Sequence, residues 1–185
     1  MKVPAGAELL LARAEIQDAL CRYARGVDRG DWALVRSTYH EDAYDEHGDY
    51  KGGIAGLIAW LDQRFAGVDN SMHFLGNCLI EFADVDTALV ETYFISRRLR
   101  PPAAGDDALA GPRDALAREA WGRYVDRFER RNGGPWLVAR RIVVLEATGQ
   151  TVVLGGARSG TLNWSRRDGH DAVEQARAAL HGSKT

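Results

Sequence analysis

The chain has 185 residues, which suits a single domain with a core of ordinary size. Its 24 Lys and Arg nearly balance its 26 Asp and Glu, so no basic surface favours nucleic acid or an anionic membrane as a partner. The acidic residues near the start interrupt any secretory signal, and no stretch approaches the ~20 apolar residues of a membrane span. We therefore expect a cytoplasmic protein in which Cys21 and Cys78 are reduced.

Three helices are predicted in the first third of the chain. Apolar residues recur at three-to-four spacing between residues 9 and 27, which is typical of an amphipathic helix that ends at Arg29 and Gly30. Asp31 is placed to cap a second, short helix in DWALVRSTYH, and a third helix is predicted over GLIAWLDQRFAG. The intervening segment AYDEHGDYKG is predicted to be a small hairpin or loop.

The second half of the chain is predicted to form strands, at residues 72–82, 87–98, 118–130 and 136–146. The stretch from 99 to 116 is rich in Pro, Gly and Ala, and it is predicted to be a long loop within the domain. Helices followed by an antiparallel meander predict an α+β fold in which a curved sheet wraps the long helix.

Three runs of sequence carry a family resemblance: RYARGVDRGDWALVRSTYHEDAYDEHGDYKG, SMHFLGNCLIEF and GRYVDRFERRNGGPWLVARRIVV. Together they resemble the SnoaL-like branch of the nuclear-transport-factor-two-like superfamily, specifically the lyase group of scytalone dehydratase and hexachlorocyclohexane dehydrochlorinase. The resemblance spans roughly residues 8 to 147. It implies one domain over residues 1–185, a cone-shaped α+β barrel with the N-terminal helices packed in the concave face of a curved, mostly antiparallel sheet. Residues 148–185 would form a C-terminal extension.

The resemblance implies a catalytic pair formed by Asp28, at the end of the first helix, and His73, near the start of a strand. A carboxylate on one imidazole nitrogen fixes the tautomer, so that the other nitrogen can take a proton from carbon. An acid at a helix C-terminus also opposes the helix macrodipole, which marks Asp28 as unusual. We therefore predict His73 as the base and Asp28 as the residue that orients it.

Two polar residues are predicted to share the cavity with this pair. Strict alternation along the strand would place Asn77 on the same face as His73. Tyr23 stands where the dehydrochlorinase pattern has a lysine, on the apolar face of the first helix. It could offer its phenol to a developing oxyanion or serve as an ordinary core tyrosine.

Three further residues complete the predicted substrate-binding set. The resemblance implies a basic residue on the last strand, and of the neighbours Arg140 and Arg141, which point to opposite faces, we favour Arg140. Tyr44 and His47 fall where the resemblance implies residues at the mouth of the pocket.

Neither a metal nor a cofactor is predicted. Seven His, Asp and Glu residues crowd into positions 40–49, but their spacing matches neither a zinc-binding histidine pair nor a calcium loop. The glycine-rich stretch at 154–160 lacks the strand-to-helix setting of a phosphate-binding loop. The acidic cluster is more typical of a solvated connection.

The predicted function is a cofactor-independent lyase that acts on a small aromatic or alicyclic substrate and releases water, halide or a small aldehyde. An isomerase or cyclase of the same fold is an alternative, and so is a non-catalytic module that binds a small molecule or a protein. Strands with apolar residues on both faces also favour self-association, as a homotrimer by resemblance or as a homodimer.

The C-terminal extension carries enough apolar and aromatic residues to be ordered. A short helix is predicted at residues 171–180, with Asp168 or His170 as its cap and Trp164 as the anchor that holds the extension in place. It is predicted to be either a lid over the pocket or a clasp on a neighbouring subunit.

Overall fold

The computed structural model describes residues 2–101, 115–153 and 163–182. The helices in these ranges are α1 (Gly6–Arg29), α2 (Trp32–Arg36), α3 (Ile54–Arg64) and α4 (Ala172–Gly182). All three predicted N-terminal helices are confirmed, although α2 is shorter than predicted because Tyr39 and His40 already belong to a strand. Asp31 caps α2, since its carboxylate accepts from the backbone N–H of Leu34 at 2.9 Å. None of these helices is long and apolar enough to cross a membrane.

A single six-stranded sheet forms the rest of the described domain. Its strands are β1 (Tyr39–His47), β2 (Tyr50–Gly53), β3 (Asn70–Phe82), β4 (Thr87–Arg100), β5 (Ala115–Arg130) and β6 (Trp136–Val153). Their order is β2-β1-β6-β5-β4-β3, and only the β1–β6 pair is parallel. The predicted α+β fold with a curved, mostly antiparallel sheet is therefore confirmed, as is the hairpin formed by β1 and β2.

All four strands predicted in the second half of the chain are longer than predicted. β4 continues to Arg100 and β5 begins at Ala115, so the predicted loop is shortened at both ends, and residues 102–114 lie outside the described residues. β6 continues to Val153, and Val152 pairs with Leu116 of β5. The first residues assigned to the extension are therefore part of the sheet.

The core lies between α1 and the inner face of the sheet. Side chains at helical spacing along α1, among them Ile16, Leu20 and Val27, are buried against apolar sheet residues such as Val90 and Phe128. This spacing places one continuous face of α1 in the hollow of the sheet. The domain is thus held together mainly by apolar burial along the length of α1.

Several register shifts interrupt the sheet, and two β-bulges among them change which of the predicted site residues face this hollow. In β3, Leu75 pairs with Phe94 but Cys78 pairs with Thr92, so β3 contains one residue more than β4 over the same length. In β6, a single residue, Ala139, is likewise inserted between the positions that pair with the neighbouring β5 residues 127 and 128. Because side chains alternate along a strand, each extra residue reverses the faces of all positions beyond it.

Candidate active site

Asp28 and His73 are in direct contact at the open end of the hollow. The His73 Nδ1 lies 2.7 Å from Asp28 Oδ1, and the backbone N–H of His73 donates to Asp28 Oδ2 at 2.7 Å. The hydroxyl of Ser71 also donates to Asp28 Oδ1, at 2.8 Å. The carboxylate therefore accepts three hydrogen bonds from β3, which fix both its position and that of the imidazole.

The end of α1 explains why Asp28 reaches this place. Gly30 has a left-handed conformation with φ of 70°, and the N–H of Asp31 bonds to the carbonyl of Gly26 at 2.9 Å, which closes the helix. α2 can then fold back closely, because a Cβ on Gly26 would lie only 2.7 Å from Val35 Cγ2. The helix stops just beyond Asp28 and leaves its carboxylate facing the start of β3.

The hydrogen bonds also determine which nitrogen of His73 is basic. Burial raises the pKa of Asp28, but the hydrogen bonds from His73 and Ser71 outweigh that effect and hold the pKa below its usual value. An ionised carboxylate only accepts, so the network assigns the imidazole proton to Nδ1. Nε2 then carries a lone pair and has no hydrogen-bond partner in the described part of the chain.

The imidazole lines a cavity of about 460 Å³, within the usual range for small-molecule sites. The Phe94 ring stacks on Tyr124, with centroids 4.4 Å apart, and both rings line this cavity. Gly122 makes room for that stack, because a Cβ there would lie 3.0 Å from Phe94 Cζ and 2.3 Å from the carbonyl oxygen of Val144. Further aromatic and polar lining comes from Tyr23, His47, Trp60, Phe65 and Ser96.

A buried ion pair supports the tyrosines of this cavity from behind. The Arg141 guanidinium donates two hydrogen bonds to Asp126, at 2.7 and 2.6 Å, and neither side chain is exposed. The guanidinium carbon lies 4.1 Å from the ring centroid of Tyr23 and 4.2 Å from that of Tyr124. Burial lowers the pKa of Arg141, but Asp126 more than compensates and raises it above its ordinary value. Arg141 is therefore a permanent cation beneath the cavity.

A second His–Asp pair lies on β1. Asp45 is buried and accepts a hydrogen bond from the Tyr39 hydroxyl at 2.8 Å, while its other oxygen lies 3.5 Å from Nδ1 of His47. The His47 ring lines the cavity and packs against Trp60, with centroids 5.4 Å apart. Burial raises the pKa of the Tyr23 phenol, which therefore stays protonated. The cavity thus presents the Tyr23 phenol as a proton donor and the imidazoles of His47 and His73 as polar groups.

This fold matches proteins of known structure. Residues 8–142 match the family model of the SnoaL-like domain. The chain belongs to this family. A candidate scytalone dehydratase from Novosphingobium aromaticivorans DSM 12444 has a TM-score of 0.65 at 15% identity, over 84% of this chain and 97% of that one. The hexachlorocyclohexane dehydrochlorinase LinA-type3 from Novosphingobium barchaimii LL02 has a TM-score of 0.59 at 21% identity, over 83% and 98%.

A third similar structure is a candidate aromatic ring hydroxylase, also from Novosphingobium aromaticivorans. Its TM-score is 0.63 at 25% identity, and the match covers 80% of this chain and 98% of that one. No curated protein sequence matches the chain. The SnoaL-like family assignment therefore rests on the family model and the shared fold.

The structure brings four of the predicted site residues of this SnoaL-like domain to one cavity and places the other three elsewhere. Asp28 and His73 are in contact, and Tyr23 and His47 line the same cavity as His73. The others are Tyr44, Asn77 and Arg140, which are exposed and lie outside this cavity.

The bulges account for two of these corrections. Asn77 lies in the bulge of β3, and Cys78 takes the inward position that Asn77 would occupy in a regular strand. In β6, the bulge at Ala139 turns Arg141 inward and Arg140 outward. When alternation is counted along the sequence through a bulge, the residues beyond the bulge are therefore assigned to the wrong face.

The third correction follows from the second. Tyr44 lies opposite Arg140 in the β1–β6 pair, on the outer face of the sheet, with the guanidinium 5.7 Å from its ring centroid. Arg140 also binds Glu46 at 2.7 Å. These residues form a surface contact on the side of the sheet away from the cavity.

Sequence reasoning missed Ser71 and Asp126, and it considered Arg141 only as the alternative to Arg140. Ser71 precedes His73 by two residues, so alternation alone would have placed it on the same face and in reach of Asp28. The Arg141–Asp126 pair had no such signal, because buried charges are rare and adjacent arginines usually indicate surface.

The extension packs against the end of α1. Arg167 donates to the carbonyl oxygens of Val27 and Asp28, at 2.7 and 2.8 Å, and its guanidinium lies 4.9 Å from the ring centroid of Phe65. It therefore binds two of the last carbonyl groups of α1, behind the Asp28 carboxylate. Trp164 is 41% exposed, and its role as the anchor of the extension stays a prediction.

Helix α4 confirms the predicted C-terminal helix but corrects its cap. The Asp171 carboxylate accepts from the backbone N–H groups of Val173 and Arg166, at 3.3 and 3.0 Å, immediately before the helix begins. Asp168 instead pairs with Arg166. Asp171 also lies 3.3 Å from Arg29, and Glu174 pairs with a second arginine of α1. Asp171 and Glu174, at the start of α4, thus help to dock this helix on α1.

Proposed function

We propose that this chain is a cofactor-independent lyase in which Nε2 of His73 removes a proton from a carbon of the substrate. The contact between Asp28 and Nδ1 of His73 carries the proposal, because it leaves Nε2 as a free base at a cavity of substrate size. Scytalone dehydratase and dehydrochlorinase names among the similar structures support an elimination reaction.

The elimination balances with groups present in the cavity. The proton moves to Nε2, the electrons of the C–H bond form a double bond, and the leaving group departs with the electrons of its own bond to carbon. Asp28 stabilises the imidazolium, and a positioned base of this kind contributes about 10²- to 10⁴-fold to the rate. A leaving hydroxide takes a proton from the Tyr23 phenol and departs as water.

The lining favours a ring-containing substrate. Phe94, Tyr124 and Trp60 present aromatic faces to the cavity, and such faces bind flat apolar rings. Tyr23 provides a neutral phenol rather than a cation, which suits an oxygen leaving group better than a halide. We therefore propose dehydration, or release of another oxygen-containing fragment, from an aromatic or alicyclic compound.

We also propose that the C-terminal segment works as a lid within its own subunit. Its contacts support this role, because Arg167 binds the carbonyl of Asp28 and packs on Phe65, which lines the cavity. A segment in that place excludes water from one side of the proton transfer.

The proposed function is tested by screening ring compounds that carry a hydroxyl group next to an activated C–H. Loss of water is followed by mass spectrometry for the wild type, His73→Asn and His170→Asn. The last is a matched control, because His170 is exposed and remote from the cavity. We expect His73→Asn to lower turnover about 10²-fold or more and the control to match the wild type.

Equal turnover by His73→Asn and the wild type would contradict the proposal. An isomerase that uses the same base would give a product of unchanged mass, so the same experiment separates the two activities. If no compound turns over but several bind, the chain is a binding module instead.

A further inference from the structure

Three arginines converge at the mouth of the cavity. Arg98 of β4 and Arg118 of β5 are directly opposite each other in the sheet, and Arg64 is the last residue of α3. All three line both the cavity of His73 and a smaller recess of about 280 Å³ beside it. The cluster therefore forms a positively charged side of the entrance.

The three guanidinium groups have no acidic partner in the part of the chain that the structure describes. Arg64 packs over Trp60 at 4.8 Å and Arg98 over Phe65 at 5.3 Å, distances to the ring centroids, but no carboxylate forms an ion pair with either one or with Arg118. Burial, together with repulsion from the other two arginines, lowers the pKa of Arg98 to about 10.

Nearby arginines of the same two strands, by contrast, have acidic partners. Arg97, next to Arg98 in sequence, pairs with Glu119 at 3.0 Å. On the outer face of β5, Arg123 binds both Glu91 and Glu146, at 2.5 and 2.7 Å. Arg98 is half-buried and Arg64 and Arg118 are exposed, and three unpaired like charges that converge in this way repel one another. Their presence at a cavity points to a ligand that neutralises them.

We propose that the cluster of Arg64, Arg98 and Arg118 binds an anionic group, carboxylate or phosphate, on the ring-containing substrate. This inference rests on the proposed function, whose site it shares. Guanidinium groups present paired donors that match the oxygens of either anion. The chemical class of substrate is thus an aromatic or alicyclic acid rather than a neutral ring compound.

The register of the sheet places this anion at a useful distance from the base. His73 pairs with Ser96 across the β3–β4 ladder, and Arg98 follows Ser96 by two residues on the same face. Two residues of an antiparallel strand span about 7 Å. A six-membered ring between the cluster and Nε2 of His73 bridges a gap of that size, so the anionic group would hold the reacting carbon near the base.

Binding of matched probes tests the inference without turnover. Benzoate, benzamide and phenyl phosphate are titrated by calorimetry into the wild type, Arg98→Gln, Arg118→Gln and Arg127→Gln. Arg127 is the control, because it lies on the same strand as Arg118 but its side chain is 61% exposed and points to the outer face. All four proteins are first checked for cooperative thermal unfolding, and two cluster variants guard against one that fails to fold.

We expect the wild type and Arg127→Gln to bind benzoate at least about tenfold more tightly than benzamide. Arg98→Gln and Arg118→Gln should lose about tenfold in benzoate affinity and little in benzamide affinity. Added salt should weaken benzoate binding alone. Comparison of benzoate with phenyl phosphate identifies which anion the cluster prefers.

Equal binding of benzoate and benzamide, absence of binding by both, or an unchanged benzoate affinity in both cluster variants would overturn the inference. The experiment is repeated in His73→Asn, which should retain the preference for the acid. If the wild type shows no elimination activity but His73→Asn still prefers benzoate to benzamide, the anion site is upheld and the proposed reaction fails.

Discussion

The Arg141–Asp126 pair predicts a strong and pH-dependent contribution to stability. Both side chains are fully buried and joined by two short hydrogen bonds, so removal of one partner leaves the other without compensation. Breaking a buried pair in this way costs about 3–5 kcal/mol. We expect Arg141→Met and Asp126→Asn each to lower the free energy of unfolding by about that amount at pH 7.

The two variants should respond differently to acid. In the wild type, burial raises the pKa of Asp126 and Arg141 partly opposes that effect, so Arg141→Met should raise this pKa further. A carboxyl whose folded pKa is raised contributes stability below its unfolded pKa, about 3.9, and that contribution is lost as the pH rises through the folded pKa. The penalty of Arg141→Met relative to the wild type should therefore shrink between pH 7 and pH 4. That of Asp126→Asn should not, because Arg141 stays charged throughout.

Urea unfolding followed by circular dichroism measures both effects. With a slope of about 2 kcal/mol per molar, the loss corresponds to a midpoint about 1.5–2.5 M lower. Arg140→Gln is the matched control, because its neighbouring pair with Glu46 is 55% exposed on the arginine side and should contribute less than about 1 kcal/mol. Equal losses for Arg141→Met and Arg140→Gln, or a penalty for Arg141→Met that is the same at both pH values, would refute the reasoning.

Three more predictions concern the lid, the cofactor and the assembly. Truncation after Val153 should reduce turnover and leave the oligomer intact, because Arg167 docks on α1 of its own subunit; dissociation without loss of catalytic competence would instead identify a clasp. Dialysis against a chelator should leave turnover unchanged, since proton transfer to His73 needs no metal, and reactivation by a divalent ion would contradict this. Light scattering at micromolar concentration should show a trimer or dimer, because Phe74 and Leu79 expose apolar surface on β3, and a monomer would exclude both.

The sequence predicts much of this molecule because its periodic patterns match its elements. The apolar spacing of α1, the cap at Asp31 and the turn at Gly30 are local signals, and both helices that they predict are present. The pair of Asp28 and His73 could also be predicted, since both residues occupy positions that the family resemblance implies. Their contact in the structure follows from where α1 ends and β3 begins.

Predictions that depended on strict alternation were wrong where the strands are irregular. A bulge inserts a residue without any reliable local signal, since it arises from the fit between neighbouring strands rather than from the strand alone. Asn77 and Arg140 were therefore assigned to the cavity, and Arg141 was left outside the core. A single misplaced residue in β6 was enough to hide the buried ion pair beneath the site.

The arginine cluster was likewise beyond sequence reasoning. Arg64 and Arg118 are separated by more than fifty positions and belong to a helix and a strand, so only the sheet register and the end of α3 bring them together. Each arginine alone is typical of protein surface. The lack of acidic partners, which supports the proposed anion site, can be seen only in the folded chain.

The tautomer of His73 tests the central claim most directly, and it can be measured without a substrate. Nitrogen-15 NMR of histidine-labelled protein distinguishes a proton on Nδ1 from one on Nε2. We expect neutral His73 of the wild type to carry its proton on Nδ1, because Asp28 accepts it at 2.7 Å.

In Asp28→Asn, the amide can accept from the backbone N–H of His73 while its NH₂ group donates to Nδ1. That arrangement moves the imidazole proton to Nε2 and removes the base from the cavity. A proton on Nδ1 in the wild type and on Nε2 in Asp28→Asn is the result that the proposed mechanism predicts. A wild-type His73 protonated on Nε2 at neutral pH would contradict it, because the cavity would then contain a donor where proton abstraction needs a base.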